Sequence, residues 1–456
     1  MLLTAERVLF GAEARASVGI RIGEDGRVAE IGTLSEMGTA DETLDGRVLL
    51  PGTVNAHSHA FQRLLRGRTQ TAGPSSDTFW TWRDIMYRVA GALDPDGVFV
   101  ASRQAFVEMA LAGVTAVGEF HYVHHQPDGT PYDDPEALAE AVIRAAQDVG
   151  IRLCLLRTVY LRGDFNAPAS SRQHRFCDPS VDVAAERIAR LVSRITARGD
   201  PRVGWGVAAH SVRALPADAI TALKTRYAHV PFHIHVSEQR REVEGCIAAH
   251  GMPPIEMLAG LGVLDGLTTL VHATHVGPGE AMLVADTGAA VCVCPSTEAD
   301  LGDGLVPAED LHQLGVPLCI GTDGQTLSSV LAEARRLEMH ERLRTGRRNV
   351  LTSGEGESSA ETVLEAATAA GARSIGVDAG LLEVGRWADF MTVDLNDPGM
   401  CGWDDRSLAA ALVFSADTRA VSDVMVGGAW IVKDGWHPRA EESARAFKDL
   451  ARRVFA

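Results

Sequence analysis

The stretch LLPGTVNAHSHAFQR, residues 49–63, begins as an apolar run and ends with two histidines one residue apart. The run reaches Pro51 and Gly52, and His57 and His59 follow where a strand would give way to a loop. Side chains at positions i and i+2 of a strand point to the same face, so both imidazoles can reach one metal ion. A single pair of this kind also fits two ordinary polar histidines.

Seven further short apolar runs follow, and they alternate with Ala-rich segments that are typical of helices. Strands that are apolar almost throughout are expected in a parallel sheet that is buried on both faces. Eight such strands separated by helices predict an α/β fold, a (β/α)8 barrel. The further runs are residues 113–122, 151–160, 202–211, 230–238, 267–276, 289–298 and 316–324.

The two ends of the chain have a different pattern. Residues 1–50 contain short alternating segments with turn residues, as in VGIRIGEDGRVAEIG, and residues 376–456 contain more, as in VSDVMVGGAWIVKDG. We predict that these ends pair as one small β-sandwich, with the barrel in residues 51–375. The last stretch, PRAEESARAFKDLARRVF, has the apolar spacing of an amphipathic terminal helix.

Composition argues against several classes of protein. The chain has 456 residues, 46% of them hydrophobic, which suits one large domain and a smaller one. The net charge of -17 argues against a nucleic-acid partner, because phosphate binding depends on clustered positive charge. No stretch approaches the roughly 18 apolar residues of a membrane span, so we expect no membrane partner and a cytoplasmic location. The seven cysteines include no CxxC and fit reduced thiols.

Nearly every apolar run ends in polar residues. In a barrel of this kind the C-terminal ends of the strands meet at one mouth, so these side chains are expected to converge. His235 and Glu238 end the fifth run, His272 ends the sixth and Asp323 ends the eighth. Three histidines and one carboxylate suit a zinc or ferrous ion, and the water that such an ion holds becomes a usable hydroxide near neutral pH.

Five motifs along the chain share one family pattern: PGTVNAHSH (51–59), HVSE (235–238), VHATH (271–275), GTDG (321–324) and LEVGRWADF (382–390). In these motifs the chain resembles the amidohydrolase superfamily, metal-dependent hydrolases built on a distorted (β/α)8 barrel with a small β-sandwich formed by the chain ends. The resemblance implies a catalytic role for Glu238, His272 and Asp323. It implies that the metal ligands are His57, His59, His235 and Asp323.

A single metal ion is expected. Superfamily members with two metals commonly bridge them through a carboxylated lysine at the end of strand four, and the fourth run here reads GWGVAAHS. No lysine precedes Lys224. We therefore expect one divalent ion, zinc in the first place with iron as the alternative. His233 lies deeper on the same strand as His235 and is interpreted as a buried structural histidine.

Within the superfamily, the closer resemblance is to the formimidoylglutamate deiminases. The segments that carry it are HSHAFQR (57–63), TFWTWRDIMY (78–87), EFHYVHH (119–125), AAHSVRA (208–214), HIHVSEQ (233–239) and CPSTEADLGDG (294–304). The substrate contacts that it implies are Gln62, Arg83, Tyr122, His210 and Arg213. The substrate of these enzymes, N-formimino-L-glutamate, is a small anion with two carboxylates, and two arginines on an acidic protein are what its recognition needs.

The implied reaction is hydrolytic deimination of N-formimino-L-glutamate to N-formyl-L-glutamate and ammonia, in histidine degradation. Metal-held water would lose a proton to Asp323 or Glu238, with Glu238 as the expected proton shuttle and His272 orienting the attacking oxygen. One alternative is a deaminase of a purine, a triazine or a related heterocycle. Another is a metal-poor barrel kept as a binding protein. A homodimer is expected, because dimers are common among such enzymes.

Overall fold

The computed structural model describes residues 1–71 and 78–456, which form two β-sheets and a set of surrounding helices. The strands are β1 (Leu2–Phe10), β2 (Glu13–Arg15), β3 (Val18–Ile22), β4 (Val28–Thr33), β5 (Glu42–Pro51), β6 (Thr53–Ser58), β7 (Val114–His121), β8 (Arg152–Val159), β9 (Val203–Ser211), β10 (Phe232–Val236), β11 (Thr268–His272), β12 (Ala290–Val293), β13 (Leu318–Ile320), β14 (Phe390–Asp394), β15 (Val421–Val426) and β16 (Ala429–Val432).

The helices follow the strands for most of the chain. They are α1 (Leu34–Met37), α2 (Phe79–Gly91), α3 (Pro95–Leu111), α4 (Ala137–Val149), α5 (Val181–Arg198), α6 (Ala217–Arg226), α7 (Arg240–His250), α8 (Pro254–Gly260), α9 (Pro278–Thr287), α10 (Pro295–Leu301), α11 (Ala308–Gln313), α12 (Val330–Thr345), α13 (Ser359–Ala367), α14 (Ala369–Ser374), α15 (Leu408–Phe414) and α16 (Ala440–Phe455). In the described residues, no helix has the length and apolar character that crossing a membrane would require.

Strands β6 to β13 are parallel and pair in sequence order, so that each predicted apolar run contains one strand of the barrel. Every residue of β7 and β8 is buried, as expected for strands covered on both faces. The barrel is almost closed: in the described residues a single isolated bridge joins its first and last strands, between Ser58 of β6 and Asp323, three residues after β13. The predicted (β/α)8 barrel and its distortion are therefore confirmed.

Both ends of the chain build the second sheet, which we call the terminal sheet. Its strand order is β16-β15-β14-β5-β1-β3-β4, with β2 added to β1. Within it β1 and β5 are parallel, whereas β14 pairs with β5 in antiparallel register. The predicted small β-sandwich made from both chain ends is confirmed as a separate mixed sheet. The terminal helix α16 contacts the barrel helix α3, where Ser443 Oγ donates a hydrogen bond to Gln104 Oε1.

A buried ion pair joins the barrel to the terminal sheet. Arg152, at the start of β8, donates from Nε and Nη2 to the two carboxylate oxygens of Asp389 at 2.8 and 3.0 Å. Asp389 Oδ1 also accepts from the backbone N–H of Gly427, in the turn between β15 and β16. Both charged side chains are almost completely buried, and Arg152 also donates from Nη1 to the Pro201 carbonyl oxygen and lies over the Trp387 ring.

We expect Asp389→Asn to destabilise the protein by about 3–5 kcal/mol, because it leaves the buried Arg152 cation without its counter-charge. The measurement is the midpoint of urea or thermal unfolding. Glu365→Gln is the control, since its ion pair with Arg373 is more than half exposed and should contribute less than about 1 kcal/mol. Equal shifts in the two variants would contradict the assigned role of the buried pair.

Candidate metal and substrate site

The four predicted metal ligands meet at the C-terminal mouth of the barrel. His57 lies on β6, His59 directly after it, His235 on β10 and Asp323 directly after β13. One ligand atom from each lies within 4.8 Å of the others, and all four side chains are buried. His57 Nε2 lies 3.2 Å from His235 Nε2, and His59 Nε2 lies 3.2 Å from Asp323 Oδ1.

Backbone carbonyls orient two of these imidazoles toward the centre of the cluster. The Nδ1 atoms of His59 and His235 lie 2.9 Å from the carbonyl oxygens of Phe120 and His210 respectively. Donation from Nδ1–H leaves the lone pair on Nε2, the atom that faces the other ligands. Burial lowers the pKa of His57 to about 3, which keeps its imidazole neutral. Three neutral imidazoles and one carboxylate fit a divalent metal ion.

Glu238 and His272 adjoin this cluster. His272 Nε2 lies 3.7 Å from Glu238 Oε1 and 3.8 Å from Asp323 Oδ2, and its Nδ1 lies 3.3 Å from Glu298 Oε1. Burial alone lowers the pKa of His272, but the three carboxylates together raise it to about 10. Burial raises the pKa of Glu238 to about 7, with Asp323 raising it and His272 lowering it. A carboxyl group that titrates near neutral pH suits proton transfer.

The turns that carry these side chains have an unusual backbone. Ser237, His272 and Asp323 have φ angles of 52°, 72° and 45°. Positive φ is uncommon for residues other than glycine and costs conformational energy, which is characteristic of functional sites. At these three strand ends the strained turn places Glu238, His272 and Asp323 next to one another.

A cavity opens above the cluster. Gln62 donates from Nε2 to the Tyr122 hydroxyl at 3.0 Å, and its buried Oε1 has no hydrogen-bond partner in the described part of the chain. The His210 ring packs against Tyr160, with 4.5 Å between ring centroids. The predicted substrate contacts that line this cavity together with Glu238, His272 and Asp323 are Gln62, Arg83, Tyr122, His210 and Arg213.

The two arginines of the cavity differ in their surroundings. Arg83, on α2, stacks on Trp80 at 4.5 Å from the ring centroid, and among the described residues it forms no ion pair. Its buried Nε also lacks a hydrogen-bond partner there. Arg213 is buried and donates from Nε to Glu242 Oε2 at 2.7 Å. Within residues 1–71 and 78–456, Arg83 is therefore a cation without a counter-charge, whereas Arg213 has one in Glu242.

Sequence reasoning missed two glutamates, Glu242 beside Arg213 and Glu298 beside His272. The available signal was weak, because each lies one helical turn beyond a strand-end residue, Glu242 four after Glu238 and Glu298 four after Cys294. His233 stays outside the ligand cluster, and its Nε2 lies 2.9 Å from the carbonyl oxygen of Ser374. That contact agrees with its interpretation as a structural histidine.

Comparison with known proteins extends over nearly the whole chain. The chain is 41% identical to the formimidoylglutamate deiminase of Pseudomonas aeruginosa over 97% of both chains. It is 31% identical to the 5-methylthioadenosine/S-adenosylhomocysteine deaminase of Natronomonas pharaonis, over 86% of this chain and 84% of that one. The crystal structure of an amidohydrolase from Brucella melitensis, 35% identical, covers all of both chains with a TM-score of 0.91.

The sequence model of the amidohydrolase family matches residues 48–431, from the last residues of β5 to β16. This range contains the whole barrel and every predicted site residue. The family model therefore spans most of the chain, and the relatives match it both in sequence and in fold. On this basis the protein is a member of the amidohydrolase family.

Proposed function

We propose that this protein hydrolyses N-formimino-L-glutamate to N-formyl-L-glutamate and ammonia, as a step of histidine degradation. The observation that carries the proposal is Arg83, a cation without a carboxylate partner in the described residues, on the wall of the cavity that contains Glu238 and the ligand cluster. A substrate with two carboxylates would provide that partner. The identity of 41% with a formimidoylglutamate deiminase supports the same substrate.

We further propose that one divalent ion, zinc rather than iron, is held by His57, His59, His235 and Asp323. When bound there, the ion would act as a Lewis acid and lower the pKa of water at the reaction centre. The outward hydrogen bonds of His59 and His235 support this assignment, because they fix the tautomer that a metal ligand needs. The absence of lysine before Lys224 supports a single ion.

Glu238 is the proposed proton carrier. Its carboxylate takes a proton from the attacking water as the oxygen bonds to the formimino carbon, and it then gives that proton to the departing nitrogen. As the carbon–nitrogen bond breaks, Glu238 also carries the remaining hydroxyl proton of the tetrahedral intermediate to this nitrogen, so that ammonia leaves and a carbonyl replaces the imine. His272, held among three carboxylates, donates from Nε2 to the attacking oxygen, and Asp323 stays ionised beside it. Gln62 Oε1, which has no hydrogen-bond partner among the described residues, can accept an N–H of the formimino group.

A heterocycle deaminase is the second candidate. The cavity wall includes several aromatic rings that could stack on a planar base: Phe79, Trp82, Tyr87, Tyr160 and Phe176. One relative is a deaminase of 5-methylthioadenosine and S-adenosylhomocysteine. Ammonia release by metal-loaded protein, measured on N-formimino-L-glutamate beside guanine and 5-methylthioadenosine, distinguishes the two functions. Turnover of the purines alone would replace the deiminase proposal.

The purified protein should contain about one divalent ion per chain, and His235→Ala or Asp323→Ala should lose it, because each removes one of only four ligands. Elemental analysis of dialysed protein is the measurement. His233→Ala, on the same strand but outside the ligand cluster, is the control and should retain the ion. Two tightly held ions per chain would contradict the single-metal site.

Glu238→Gln should retain the metal and lose about 100-fold or more in kcat, because an amide cannot carry the proton. Elemental analysis and ammonia release on the same preparation separate the two effects. Turnover close to that of wild type in the metal-replete variant would move the proton-transfer role to Asp323.

Arg83→Met should raise the barrier for N-formimino-L-glutamate by about 2–5 kcal/mol, measured through kcat/KM, because the substrate carboxylate loses its cation. Arg88→Met is the matched control, since Arg88 lies on the same helix but is exposed and does not line the cavity. If both variants process the substrate like wild type, Arg83 does not recognise a carboxylate.

A further inference from the structure

We infer that Glu242 is a positioning residue that holds the substrate-recognition arginine, Arg213, and the turn of the proton carrier, Glu238, in a fixed relation. The inference rests on the proposed function. Both functional groups come from different strands of the barrel, β9 and β10, and Glu242 lies on α7, directly after the second of them. One carboxylate contacts Arg213 and the backbone N–H of Ser237, the residue that precedes Glu238.

The two carboxylate oxygens of Glu242 accept hydrogen bonds from different donors. Oε2 accepts from Arg213 Nε at 2.7 Å, and Oε1 accepts from the backbone N–H of Ser237 at 2.8 Å. The side chain of Glu242 is completely buried, and that of Arg213 is 5% exposed. No other acceptor is paired with Ser237 N–H in the described residues, so the carboxylate supplies the partner that a buried donor requires.

The contact with Ser237 bears directly on Glu238. Ser237 has a φ of 52°, a conformation that a residue other than glycine keeps only when its surroundings hold it. The next residue is Glu238, whose direction depends on that turn. Glu242 is the third residue of α7, where a carboxylate is favoured by the unpaired N–H groups of the helix start. The helix thus anchors the turn.

Because Arg213 is paired with Glu242, its substitution has a second effect that, among the described residues, substitution of Arg83 does not have. Arg213→Met removes the cation and also leaves a buried, uncompensated carboxylate four residues from Glu238. A buried charge that has lost its partner disturbs its surroundings far more than a pair that has been removed as a whole. Loss of activity in Arg213→Met alone would therefore mix weaker substrate binding with a displaced proton carrier.

Glutamine at position 242 cannot keep both contacts. It has one acceptor oxygen, so if that oxygen stays with Ser237 N–H, its NH2 group opposes Arg213 Nε–H, donor against donor. Glu242→Gln should therefore lower kcat/KM by about tenfold to 100-fold, the usual effect of losing an outer contact of an active-site side chain. Paired with Arg213→Met, the same glutamine satisfies Ser237 without leaving a buried charge.

The experiment compares ammonia release from N-formimino-L-glutamate by wild type, Arg213→Met, Glu242→Gln and the double variant Arg213→Met/Glu242→Gln. We expect kcat to recover several-fold in the double variant relative to Arg213→Met, while KM stays raised in both. If kcat recovers in the double variant while KM does not, the Glu242 carboxylate positions Glu238, whereas Arg213 binds the substrate. A role of Glu242 in stability alone would not produce this separation.

Glu280→Gln is the matched control. Glu280 is also buried and is the third residue of its helix, α9, where it accepts from two backbone N–H groups, those of Gly277 and Ile255. It does not line the cavity, so its replacement should lower the unfolding temperature and leave kcat and KM unchanged. Wild-type kcat and KM in Glu242→Gln, or a double variant no faster than Arg213→Met, would overturn the inference.

Two further outcomes are informative. If Glu242→Gln does not fold, the double variant remains usable, because it leaves no unpaired charge. If wild type releases no ammonia from N-formimino-L-glutamate, the proposed function has failed. Unfolding temperatures then test whether Glu242 couples Arg213 to the turn at Ser237. The double variant should unfold at a higher temperature than Arg213→Met, and the reverse order would refute the coupling itself.

Discussion

The contact between the last strand of the barrel and the first determines the geometry of the whole site. The carbonyl oxygen of His57 accepts from the N–H groups of Thr322 and Asp323, and the carbonyl of Asp323 accepts from His59 N–H. The residues that form these backbone hydrogen bonds include three of the four proposed metal ligands. Closing the barrel and assembling the ligand cluster are therefore the same structural event. A shift of one residue in this register would direct the ligand side chains to the other face.

The sequence predicts those parts of the molecule in which a local pattern has one structural solution. Eight apolar runs indicate strands buried on both faces, and the i, i+2 spacing of His57 and His59 places both on one side of a strand. The pairing of Arg213 with Glu242 is different in kind, because the partners lie 29 residues apart and meet only when two strands become neighbours. Glu298 beside His272 is missed for the same reason. The spacing of residues along the sequence does not indicate which buried charged side chains will pair in the folded protein.

Charge compensation also explains how an acidic chain can present cations to a cavity. Of the two cavity arginines, Arg213 is neutralised by Glu242, whereas Arg83 has no carboxylate partner in the part of the chain that the structure describes. The neutralised arginine keeps a defined direction, because the bond from Nε to a buried carboxylate restricts its rotation. Arg83 is held differently, by stacking on Trp80 and Tyr87, which fixes the plane of its guanidinium without consuming its charge. The cavity therefore combines an arginine held by a carboxylate with one that no described carboxylate neutralises.

The terminal sheet can be completed only after the barrel has been synthesised. Strand β5 is an interior strand of that sheet, and one of its neighbours, β14, begins 339 residues after the end of β5. During synthesis, β1 to β5 are translated before the barrel. The edge of β5 that later pairs with β14 therefore remains unpaired until the barrel has been translated. An open edge of this kind can pair with another chain, and such non-local pairing is slow to form. The nascent chain is therefore open to misassembly at this edge from the end of β5 until β14 has been made.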